Sequence, residues 1–206
     1  MNNFGELNIP AGDFEAVIFD LDGTLIDSMP THFAAWCSAL SQFNVPKSVF
    51  PEDVFYSMGG RPTKDIVVEL NGEFDLSLNP EEIALAKRHA FLETLDQISI
   101  NEDVVAYARS LRGKVPMAIA TGGTRIVVEK TLQALELNDL FDEVVTANDV
   151  ACGKPAPDVF LEAAKRLEVD PTKCLALEDA PAGMMAAQTA GMEVVSVPVS
   201  YKAVKV

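Results

Sequence analysis

Asp20-Leu21-Asp22-Gly23-Thr24 follows directly on the apolar run Ala16-Val17-Ile18-Phe19. A short unbroken hydrophobic run reads as a strand buried on both faces. Open α/β sheets bind ligands beyond the C-terminal ends of their strands, where this acid pair stands. Gly23 lets the chain turn sharply there. Capping a following helix would account for Asp22 but would leave Asp20 unexplained. Other chemically able groups also follow apolar runs: Thr121-Gly122-Gly123 after 115–120 and Glu178-Asp179 after 174–177, with Lys154 inside Gly153-Lys154-Pro155-Ala156-Pro157-Asp158. Gathered carboxylates are unfavourable unless protons or a cation neutralise them. Oxygen ligands of this kind suit Mg²⁺. The Thr121 hydroxyl and the N–H groups of Gly122 and Gly123, at a helix start, form a seat for an anion. Acids with Mg²⁺, a lysine and an anion seat describe phosphoryl transfer, with an aspartate able to serve as covalent nucleophile.

Strands at 16–19, 115–120, 143–146, 174–177 and 193–197 would carry these groups, separated by helical patterns at 102–112, 124–135, 157–167 and 181–190. Such alternation predicts an α/β fold, a Rossmann-like three-layer core with a parallel sheet. The stretch 28–96 interrupts it with helix-like segments at 31–42, 63–70 and 80–95 and no convincing strand. It reads as an inserted helical cap domain, a lid beside the first strand, with 1–27 and 97–206 as the catalytic core.

The 206 residues, 49% hydrophobic, suffice for one core plus a small insert. Sixteen Lys and Arg against 31 Asp and Glu leave a net charge of −15, which disfavours nucleic acid and anionic membranes as partners. A small phosphorylated metabolite remains compatible, since a local cation can reverse the field inside one cleft. Cys37, Cys152 and Cys174 lack CxxC spacing and read as reduced thiols of a cytoplasmic protein. Residues 1–13 lack the basic and apolar regions of a secretion signal, and no apolar run is long enough for a membrane helix. The tail 199–206 has no readable role, and the assembly expected is a monomer or weak homo-oligomer.

In order along the chain, Asp20-x-Asp22-Gly23-Thr24, Thr121, Lys154 and Glu178-Asp179 resemble the four motifs of the haloacid dehalogenase superfamily. The helical insertion resembles its type-one cap. Asp27-Ser28-Met29-Pro30-Thr31-His32 with Trp36, and the segments around Lys154 and Glu178-Asp179-Ala180, are similar to the β-phosphoglucomutase branch. Within it the likeness is to members described as fructose-1-phosphate or 6-phosphogluconate phosphatases. The resemblance implies that Asp20 attacks phosphorus and Asp22 acts as general acid, then base. It implies Mg²⁺ held by Asp20, the Asp22 carbonyl and Asp179, with Glu178 direct or through water. It also implies that Thr121 and Lys154 hold the phosphoryl oxygens.

Several residues keep two readings. Glu178-Asp179 could cap the helix beginning near Pro181. Phe33, Trp36, Cys37 and Leu40 follow the spacing of a buried helix face, so Trp36 is either cap core or a substrate wall. His32 faces either the cleft or water, and Arg61 and Lys64 either bind distal substrate groups or are exposed charges. A sugar-phosphate phosphatase is the leading function and a sugar phosphomutase the alternative. A dehalogenase would need neither Asp22 nor a metal cluster, and a dinucleotide-binding enzyme would need G-x-G-x-x-G.

Overall fold

The computed structural model describes residues 7–198. Residues 1–6 and the tail 199–206 lie outside the described residues. In chain order the elements are β1 (Ala16–Phe19), β2 (Ile26–Asp27), α1 (Met29–Gln42), α2 (Glu52–Ser57), α3 (Thr63–Phe74) and α4 (Pro80–Leu92). There follow β3 (Ser99–Ile100), α5 (Glu102–Leu111), β4 (Met117–Ala120), α6 (Arg125–Ala134), β5 (Glu143–Val145), α7 (Asp158–Arg166), β6 (Cys174–Glu178), α8 (Pro181–Thr189) and β7 (Glu193–Ser196).

Five strands form a parallel sheet in the order β5-β4-β1-β6-β7. The central strands β4, β1 and β6 are buried along their whole length, whereas the edge strands β5 and β7 are partly exposed. Alternation along each strand divides the core between two faces. On one face Val17, Phe19, Met117, Ile119, Leu175 and Leu177 pack with Val104, Val105 and Ala108 of α5 and Val128 and Leu132 of α6. On the other, Ala16, Ile18, Ala118, Ala120 and Ala176 meet Phe160, Ala163 and Ala164 of α7 and Ala186 and Ala187 of α8. The small side chains on this second face let α7 and α8 approach closely.

The α/β Rossmann-like class is as expected. β2 and β3 form a short antiparallel ribbon pairing Ile26 with Ile100 and Asp27 with Ser99. Between them α1–α4 pack around Trp36, Leu40, Phe50, Phe55, Ile66, Val67, Leu70 and Ile83. Some bounds differ from the expectation. α1 begins at Met29, α3 runs through Gly72 to Phe74, and α4 stops at Leu92. Asn71 explains the second difference, because its side chain donates to the Leu78 carbonyl and accepts from the Leu78 N–H, both at 2.9 Å, anchoring the chain after α3. α2 was not foreseen. No described helix is long and apolar enough to cross a membrane.

Candidate active site

Asp20 leaves β1 with its backbone N–H still bonded to the Leu177 carbonyl of β6, at 3.0 Å. The chain then doubles back, and the Gly23 N–H donates to the Ile26 carbonyl at 2.8 Å. Gly23 has φ +95°, and a Cβ there would stand 2.3 Å from Asp179 Oδ2. Both the backbone conformation and the neighbouring carboxylate therefore require glycine. Thr24 Oγ1 donates to Asp179 Oδ1 at 2.9 Å, tying the loop after β1 to the loop after β6.

Lys154 joins these loops to a third. Its Nζ lies 2.5 Å from Asp20 Oδ1 and 2.7 Å from Glu178 Oε1, with its side chain fully buried over the Phe160 ring. Glu178 Oε2 accepts the Ala180 N–H at 2.7 Å. Burial disfavours the ammonium, but Asp20 and Glu178 outweigh it and hold Lys154 protonated, well above the ordinary lysine range. The Asp20 carboxyl is pushed well up, first by burial and then by Glu178 and Asp179, against the pull of Lys154. Oxygens of Asp20, Glu178 and Asp179 lie within 4.8 Å of one another. Three carboxylates against one ammonium leave an excess of negative charge, which a proton or a hard cation relieves. The donor set is all oxygen, so the residues fit Mg²⁺.

Asp22 faces the other way. Its Oδ1 accepts from Ser28 Oγ at 2.6 Å and lies 3.0 Å from His32 Nε2. Burial alone would raise the Asp22 carboxyl; His32, Ser28 and the nearby Lys87 ammonium bring it down to about 2. Burial in turn lowers the His32 imidazole against the pull of Asp22. The consistent assignment is a neutral ring donating Nε2–H to an ionised Asp22. His32 stacks on Phe91 of α4 with centroids 4.0 Å apart, and its Nδ1 is buried without a hydrogen-bond partner among the described residues. Thr121 is buried at the end of β4, where its Oγ1 accepts the Gly123 N–H at 3.0 Å. A Cβ on Gly123 would lie 3.4 Å from that oxygen and 3.9 Å from Asp22 Oδ2.

Asp20, Asp22, Thr121, Lys154, Glu178 and Asp179 therefore share one rim, with His32 beside them. Gly122 belongs to it too, since a Cβ there would stand 2.9 Å from the Gly60 carbonyl of the helical block. One of the remaining expectations needs correction. Trp36, 1% exposed, lies inside the helical cluster with its ring 4.9 Å from that of Phe50, so it has no surface left to form a substrate wall. Arg61 pairs with Glu69 and Lys64 with Glu81, each at 2.6 Å, while Gly60 and Pro62 on either side of Arg61 lie against the loop that carries Lys154. Ser28, Thr24 and Lys87 were missed as site residues. Lys87 lies half-buried on α4, 5.4 Å over the Trp36 ring, where burial lowers it to about 8 against the pull of Asp22. Only its place on one helical face with Phe91 marked it, which is a weak signal.

Comparison with known proteins places the chain in a family. The haloacid dehalogenase-like hydrolase family matches residues 14–191. The fructose-1-phosphate phosphatase YqaB of Escherichia coli is 36% identical over 187 residues, covering 89% of this chain and 96% of that protein. A hydrolase from Pseudomonas syringae superposes with a TM-score of 0.79 at 30% identity, covering 87% of this chain and 83% of that one. The β-phosphoglucomutase of Clostridium difficile shares the fold, with a TM-score of 0.75 at 24% identity and coverage of 88% and 83%. A sheet edge bearing these acids, one buried lysine and a threonine loop, matched along most of its length, makes this chain a member of the haloacid dehalogenase-like hydrolases.

Proposed function

We propose that the protein is a Mg²⁺-dependent phosphatase hydrolysing small sugar phosphates or sugar-acid phosphates through an aspartyl-phosphate. The observation carrying this reading is the Lys154 ammonium seated between Asp20 and Glu178 beside Asp179. Lys154 bonds Asp20 through Oδ1, and the other carboxylate oxygen forms the bond to phosphorus as the bond to the leaving sugar oxygen breaks. Lys154 and the Thr121 loop hold the phosphoryl oxygens. Asp22, ionised in the free site, takes up a proton from water as the substrate binds and delivers it to the leaving oxygen. An approaching phosphate dianion raises its proton affinity from the low value set by His32 and Ser28. Asp22 then takes the proton of the water that attacks phosphorus, releasing inorganic phosphate and restoring Asp20. Mg²⁺ would be held by Asp20, Asp179 and the Asp22 carbonyl, with Glu178 direct or through water. When bound it would neutralise charge on the phosphoryl oxygens.

Residues 28–96 act in this reading as a cap domain that excludes water and recognises the leaving group. Gly60 reaches Gly122, and Pro62 sits where a Cβ on Gly153 would come within 2.7 Å of its Cγ, which supports closure over the rim. Of the cap groups, His32 contacts Asp22 directly, and the Lys87 ammonium over Trp36 acts on it through its charge. A mutase must also seat a second phosphoryl group while its intermediate turns over. The products of turnover distinguish the two outcomes. The similarity to a fructose-1-phosphate phosphatase supports a phosphorylated sugar as substrate. Incubation with fructose 1-phosphate, 6-phosphogluconate and glucose 1-phosphate, with Mg²⁺ or EDTA, should release phosphate only with the metal. Isomerised sugar phosphate without phosphate release would replace the hydrolase reading with the mutase.

A further inference from the structure

Gly183 lies in the first turn of α8, with no side chain where a helix would ordinarily carry one. A Cβ at this position would stand 1.5 Å from Glu178 Oε1, 2.1 Å from its Cδ and 2.7 Å from Oε2, the tightest approach among the described glycines. Its φ is not in the left-handed region, so the backbone does not demand glycine. Glycine is also a poor helix former. Volume is the remaining reason, and the Glu178 carboxylate fills it.

That placement fixes both oxygens of Glu178. Oε2 turns back to the Ala180 N–H at 2.7 Å, and Oε1 reaches Lys154 Nζ at 2.7 Å. The carboxylate thus bridges the start of α8 and the buried ammonium that also holds Asp20. We infer that Gly183 is a positioning residue: its missing side chain seats Glu178 across α8, and Glu178 thereby sets where the Lys154 ammonium meets the phosphoryl group. The last step rests on the phosphatase reading; the seating of Glu178 does not. Asp179 is a separate case, since it is held by Thr24 and admitted by Gly23.

A cycle of Gly183→Ala, Glu178→Ala and the double variant tests the seating without reference to turnover. With Glu178 present, Gly183→Ala should lower the thermal midpoint. With Glu178→Ala, the same change should leave it unmoved or raise it, because alanine is the better helix former. An equal drop in both backgrounds would overturn the inference. Should Glu178→Ala fail to fold, a crystal structure of Gly183→Ala decides: Glu178 displaced from Lys154 supports the seating, and Glu178 unmoved refutes it.

The functional half is read in Gly183→Ala alone, with its far-UV spectrum unchanged. Turnover should fall about 100-fold, the scale of a 1 Å misplacement in a catalytic site. Thermal protection by inorganic phosphate should require about tenfold more phosphate, since a displaced ammonium is a weaker anion partner. Wild-type turnover and phosphate protection would refute the positioning role. If the wild-type protein released no phosphate from any substrate, the phosphatase reading would fall while the stability cycle still judged the seating.

Discussion

The sheet rim and the helical block that faces it are built on opposite principles. At the rim every charged group has a polar partner: Lys154 is buried between Asp20 and Glu178, Asp179 accepts from Thr24, and Asp22 is held by Ser28 and His32. Removing one partner of the buried Lys154 cluster leaves an uncompensated charge, at about 3–5 kcal/mol, so those groups specify one another. The helical block instead has an aromatic interior, with Phe50 against both Trp36 and Phe55, and pairs Arg61 with Glu69 and Lys64 with Glu81 at its surface. Exposed pairs of that kind contribute about 1 kcal/mol or less. The chemistry thus belongs to groups that cannot vary independently. In the proposed function, recognition of the leaving group would fall to a few helix-surface positions that can change without disturbing either core.

The largest effect should come from breaking the rim at its nucleophile. Asp20→Asn keeps the shape of the side chain and leaves Lys154 paired with Glu178, so the fold should persist by circular dichroism. Phosphate release should drop about 10⁴-fold or more, the scale seen when a covalent nucleophile is removed. Turnover near wild type in this variant would reassign the nucleophile.

The same contrast explains what could be read from the chain alone. Asp20, Thr121 and Glu178-Asp179 stand at the ends of apolar runs, so the rule that parallel sheets bind ligands at one edge is enough to gather them. Lys154 joined them through its proline-bounded loop and the order of the motifs. Ser28 and Thr24 lie within a few residues of the acids, yet their roles depend on hydroxyl directions that no spacing encodes. α2 follows Pro51 for only six residues, too short for a periodic signal. Trp36 had the spacing of a buried face as well as a place beside His32, and packing decided for the first. Lys87 was lost because one lysine on a charged helix resembles any other until α4 is laid against α1. Gly183 did carry a signal, a glycine inside a helical pattern, which commonly has a packing reason.

A smaller effect should follow from neutralising the cation opposite the rim. Lys87→Met should raise KM about tenfold while changing kcat little, the mark of an interaction made equally in ground and transition states. Its pH dependence sharpens the point. Burial sets Lys87 at about 8, so its charge is present below that pH and lost above it. Wild-type KM should therefore climb as pH passes 8, and the Lys87→Met profile should stay flat through the same interval. Parallel profiles would remove Lys87 from leaving-group recognition.

The smallest effect on turnover belongs to Trp36→Phe, which probes the helical interior without touching the rim. The indole packs against Phe50 and lies beneath the Lys87 ammonium, and a phenyl ring preserves both an apolar body and a π face for that cation. The lost volume should lower the block's stability by about 1–2 kcal/mol in urea denaturation. Because Trp36 has almost no exposed surface, kcat/KM at moderate temperature should remain within about twofold of wild type. A tenfold rise in KM with stability unchanged would mean that the ring meets the substrate after all. The division between a recognising surface and a merely supporting interior would then have to be redrawn one helical turn deeper.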